Sequence, residues 1–70
     1  MTEQEIKDLE KAVNKARFTL SQKAAMLHDL IEDRLLNDYR DIPSYSEATF
    51  FAAKVWDELN QQLITAKKEL

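Results

Sequence analysis

His28, Asp29, Glu32 and Asp33 are the residues of this chain whose types and spacing could do chemistry. His28 and Glu32 are four apart, as are Asp29 and Asp33, so on a helix each pair shares a face. An imidazole one turn from a carboxylate offers two ligands to a divalent transition metal, and a symmetric dimer would double that number. The expectation is no cofactor, with His28 and the acids forming surface hydrogen bonds that fix the helix end; a weakly bound divalent metal on these four side chains is the alternative. The pattern departs from the di-iron bundles, which use Glu-x-x-His directed into a core, because the residue three before His28 is Ala25. Catalytic roles are less well served still. With one His, no Cys and no Gly, the chain lacks a thiol nucleophile, a second histidine and a glycine-rich phosphate cradle. A reaction centre also needs a concave, water-excluding pocket, for which a small helical chain gives little room. The chain reads as non-enzymatic, with no catalytic residue.

Recognition suits the same residues better. An aromatic ring supplies contact area and nearby charges supply orientation, so His28, Asp29, Glu32 and Asp33, together with Tyr39 and Phe50, are the expected partner-binding residues. At 100° per residue Phe50 points nearly opposite to Ala52, and Ile64 falls on that same outer side. Phe50, Phe51 and Ile64 thus lie off the main apolar stripe of their segment. They are expected to form either the other half of a dimer core or a docking patch for a different protein.

The elements that must position these groups are two helices. Ile6, Leu9, Val13, Ala16, Leu20, Leu27 and Leu30, interrupted only by Lys23, alternate spacings of three and four, the seam of a pairing helix. Thr2 followed by Glu5 fits a capping box, and Glu3 and Glu5 stand where the helix dipole favours negative charge. The first helix is expected from about residue 2 to about residue 33, with Leu20 buried near the middle of its seam. Glu3, Lys7, Lys11 and Lys15 form a row at spacing four, read as a solvated face, with an RNA-binding strip as the alternative. Residues 34–42 mix apolar and turn-forming types without helical periodicity and are expected to form the tip of a hairpin. Pro43 should push Ile42 out of helical geometry and start a second helix, about 43–70, capped by Asp41 or by Ser44, which makes a second capping box with Glu47. The stripe of that helix is Ala48, Ala52, Val55, Trp56, Leu59, Leu63, Ala66 and Leu70, with Tyr45 and Thr49 at its edge.

The expected architecture is all-α: one domain, residues 1–70, forming an antiparallel two-helix hairpin. At 70 residues, and with no cysteine, neither a large core nor a disulfide is within reach, so oligomerisation is the remaining source of stability. A homodimer or larger species forming a four-helix bundle is expected, with Ile6, Leu9, Val13, Leu20, Leu27, Leu30, Ala52, Val55, Trp56, Leu59 and Leu63 in its core. The formal charge of −3 argues against a nucleic-acid partner. No apolar run has the length of a membrane span, and the acidic, polar start differs from a secretory signal, so a cytoplasmic location is expected.

Leu27-His28-Asp29-Leu30, then Glu32-Asp33, Leu35, Tyr39, Ile42, Thr49 and Ala52, resemble the Leu-His-Asp-Leu-x-Glu-Asp signature and following helix of the small Rop-like proteins associated with nitrogen fixation. The resemblance spans Ala24 to Leu70; the segment before it is similar only in its heptad. Where those proteins often carry a proline after the leucine, this chain has Leu36. The resemblance implies a dimerising helical hairpin with no assigned reaction, an accessory protein that docks onto a partner in nitrogenase assembly or maturation.

Overall fold

The computed structural model describes residues 2–69 of the chain. It consists of a long helix α1 (Glu3–Asp33), a single turn α2 (Leu35–Asp38), a 3-10 turn (Tyr39–Asp41) and a second long helix α3 (Ile42–Lys68). The two long helices pack antiparallel into a rod about 52 Å long and 14 by 12 Å in cross-section.

The start of α1 follows from Thr2. Its extended backbone and its hydroxyl, which accepts from the Glu5 backbone N–H at 3.1 Å, satisfy one of the free donors of the first turn. The same hydroxyl donates to the Glu5 carboxylate at 3.2 Å, so the expected Thr2–Glu5 pairing forms through the side chains. Replacing Thr2 by Ala is expected to cost about 1 kcal/mol, seen as a lower thermal midpoint.

The seam faces α3 throughout. Ile6, Leu9, Val13 and Leu30 are buried from α1, and Ala52, Leu63 and Ala66 from α3. Ile6, Leu9, Val13, Leu63 and Ala66 form one cluster at the open end of the hairpin, with Trp56 and Leu59 packed against it. There the helices are also tied by Lys67 to Glu10 at 3.3 Å, an exposed pair worth little by itself. Leu20 and Leu27, expected in the core, are only half-buried, as are Val55, Trp56 and Leu59. Two helices shield a seam residue from one side only, so towards the middle of the rod the flanks of the seam stay open. Leu70, the last residue of the expected stripe, lies outside the described residues.

The tip corrects two expectations. Residues 35–41 are helical in short turns, not irregular, and the reversal is made by Arg34 (φ −129°, ψ 14°) and Asp38 (φ −119°, ψ 18°). Both lie near the bridge region, open to residues with a Cβ, so the chain turns without glycine and, among the described residues, without a positive φ. The Arg34 carbonyl accepts from the N–H groups of Asn37 and Asp38, while its guanidinium lies 3.7 Å from the Asp38 carboxylate. Second, Ile42 is helical (φ −54°, ψ −47°) despite preceding a proline, because its N–H donates to the Tyr39 carbonyl and carries the 3-10 turn straight into α3. The helix therefore begins one residue earlier than expected. The Ser44–Glu47 capping box does not form, since both residues are already inside the helix. Asp41 is the N-cap by position but makes no side-chain cap bond, and Pro43 falls in the first turn, where its missing N–H costs nothing.

Candidate functional site

Two surfaces stand out once the hairpin is closed. The first is its tip. His28 and its acidic neighbours occupy the last two turns of α1, where Nε2 approaches Glu32 at 3.4 Å and Nδ1 approaches Asp29 at 3.9 Å. All three side chains remain well exposed, and Asp33 is exposed beside them. Among the described residues no group of three or more His, Cys, Asp or Glu side chains is arranged to hold a metal ion. One chain thus offers a His28–Glu32 pair rather than a coordination sphere.

The signature segment is two-faced. Leu30 is completely buried and Leu27 half-buried, so these leucines fix the end of α1 against the rest of the hairpin, while His28, Asp29, Glu32 and Asp33 face water. Beyond them the tip carries uncovered apolar side chains: Ile31 (45% exposed), Leu35 (41%), Tyr39 (53%) and Leu36 (90%). Arg40 folds back so that its guanidinium lies 5.7 Å from the Tyr39 ring centroid, within cation–π range. Arg34 reaches the neighbourhood of Tyr45 on α3. The Tyr45 hydroxyl, followed by the Asp38 and Asp41 carboxylates, holds the Arg34 guanidinium above its ordinary pKa.

The second surface is a groove along one side of the helix pair, about 540 Å³ in volume. Its floor is made by small and aliphatic residues, Ala12, Ala16 and Thr19 from α1 and Ala48, Ala52, Val55 and Leu59 from α3, with Lys15, Lys23 and Phe51 at its edges. A smaller recess lined by Lys23, Met26, Ser44, Tyr45 and Ala48 continues it towards the tip. Small residues at Ala48 and Ala52 follow the sequence reading. Phe51 differs from it: grouped by sequence with the outer residues, it stands at the groove, while Phe50, one residue and 100° away, is exposed on the outer face.

The expected partner-binding residues are thus divided. His28, Asp29, Glu32, Asp33 and Tyr39 belong to the tip end, whereas Phe50 stands about 12 Å along α3 from Ile42, given the rise of a helix. Leu36 and the exposed Phe18 were passed over by sequence reasoning as site residues, because periodicity selects residues that fit a stripe and these do not. The lysine row is divided as well: Lys7 and Lys11 are simply exposed, and Lys15 edges the groove. No helix among the described residues is long and apolar enough to cross a membrane.

Residues 4–68 match the family model described as Rop-like. The match extends through α1, well beyond the segment that carried the sequence resemblance. No curated protein and no solved structure matches the chain.

Proposed function

Since this chain belongs to the Rop-like family, we propose that it acts as a non-enzymatic interaction protein, a homodimer closed through the groove face that docks onto a protein partner by its tip. The observation that carries the reading is the groove itself. It is apolar, runs along the junction of the two helices, and lies on a rod only 14 by 12 Å thick whose own core is a single seam. A second hairpin laid on it would complete a four-helix bundle and enclose the half-buried Val55 and Leu59. The groove face also carries both halves of a self-complementary contact, a floor of small residues and the projecting Phe51 ring, as a two-fold interface requires. The setting in nitrogenase assembly or maturation is supported by the signature around His28 alone.

Sedimentation equilibrium is expected to give a dimer or larger species at micromolar concentration. A stable, fully helical monomer under dilution would refute the dimer. For docking, capture of purified nitrogenase assembly proteins by the immobilised dimer is expected to fall on Tyr39→Ala or Asp33→Ala while helicity and mass are unchanged. Unfolding of the dimer by these substitutions would instead make the signature a device for fixing the hairpin turn.

A further inference from the structure

We infer that the tip of the hairpin fits a protein surface with an apolar socket ringed by lysine or arginine. This rests on the docking role proposed above and adds the chemistry of the partner. From His28 to Asp41 the chain has five carboxylates and two arginines, so this end holds the whole formal charge of −3, and the remainder is balanced at eight acidic against eight basic residues. The fold spends the two arginines locally, Arg34 on Asp38 and Arg40 over Tyr39. Asp29, Glu32, Asp33 and Asp41 are left facing water. Among these carboxylates stand Ile31, Leu35, Leu36 and Tyr39, the most exposed being Leu36 at 90%. Leu36 and Tyr39 stand on the two consecutive short turns of the tip, three residues apart in sequence.

This combination selects among occupants. A second tip of the same chain would bring two clusters of the same sign together, and RNA or an anionic bilayer would be repelled in the same way. A purely apolar pocket would strip water from the carboxylates and return no opposite charge. A socket with a basic ring meets both requirements, since the leucines and the tyrosine fill its centre and the carboxylates pair at the rim. The tip is suited to this because it reverses without glycine, which lowers the ordering cost of binding.

The test is an amide-resolved NMR titration of the full chain with two designed amphipathic helical peptides, identical except that one bears lysine and the other glutamate opposite a leucine face. The lysine peptide is expected to shift the signals of residues 28–41, with affinity falling about tenfold or more on going from low to moderately high salt. Leu36→Ser should weaken it by about tenfold with helicity and sedimenting mass unchanged. Joint replacement of Asp29, Asp33 and Asp41 by Asn should remove most of the salt dependence. Equal response to both peptides, or shifts centred on Phe51 and Val55, would overturn the inference. No response at the tip to either peptide would overturn it as well, and a normal dimer mass in that sample would show that the dimer reading survives.

Discussion

Leu30→Ala is expected to destabilise the folded chain by about 2–5 kcal/mol in denaturant unfolding, the range for removing a buried leucine whose surroundings collapse only in part. Leu30 is the fully buried side chain among the described residues, and it sits in the last turn of α1, where its carbonyl accepts the Arg34 N–H at 3.1 Å. A cavity there would loosen the turn from which the tip departs. Small domains have only about 5–15 kcal/mol in total, so the variant should be partly unfolded near physiological temperature. Leu36→Ala makes the contrast, since a 90% exposed side chain contributes little to folding and its loss should stay within about 0.5 kcal/mol. A loss below about 1 kcal/mol for Leu30→Ala would mean that the signature leucine does not anchor the hairpin. Within one short segment, then, alternate residues serve packing and presentation: Leu27 and Leu30 hold the helix end in place so that His28, Asp29, Glu32 and Asp33 face outward in a fixed arrangement.

The long helices were legible because their information is repeated. Each seam position from Ile6 to Leu30 is supported by others three and four residues away, so one exception, Lys23, does not disturb the pattern. Along α3 the stripe Ala48, Ala52, Val55, Trp56, Leu59, Leu63 and Ala66 is similarly over-determined, and each of these seven residues is buried or half-buried. The tip offers no such repetition. A single turn such as Leu35–Asp38 is too short for a period to show, and the bends at Arg34 and Asp38 use backbone angles that leave no glycine in the sequence to mark them. Pro43 announced the second helix correctly but not its first residue, because the hydrogen bond from the Ile42 N–H to Tyr39 outweighs the preference imposed by the following proline.

The candidate surfaces were legible in part, for a related reason. Residue types alone brought His28, Asp29, Glu32, Asp33 and Tyr39 to one end, since short sequence separation guarantees proximity whatever the details of the turn. The groove needed both helices. Ala12, Ala16 and Thr19 lie on one segment and Ala48, Ala52 and Val55 on another, and only their antiparallel register makes them neighbours. A projection of α3 alone places Phe51 between the seam and the outer face, and the position of α1 decides that it belongs to the groove.

Phe51→Asp is accordingly expected to turn the dimer into a monomer at micromolar concentration, weakening self-association at least about 100-fold, or roughly 3 kcal/mol. In a single hairpin Phe51 is 66% exposed, so the substitution should leave helicity of the monomer nearly unchanged. In the proposed dimer its ring would enter the partner's groove, and two-fold symmetry would place a carboxylate on apolar surface twice over. Lys15 and Lys23 edge the groove and could partly neutralise the new charge, so Phe51→Ala, which deletes area without adding charge, should give a smaller loss of the same sign. Phe50→Asp is the discriminating control. It adds the same charge one residue away on a ring 73% exposed on the outer face, and dimer mass by sedimentation should be unaffected. If Phe50→Asp dissociates the dimer and Phe51→Asp does not, the hairpins pair through their outer face and the groove is left for another occupant.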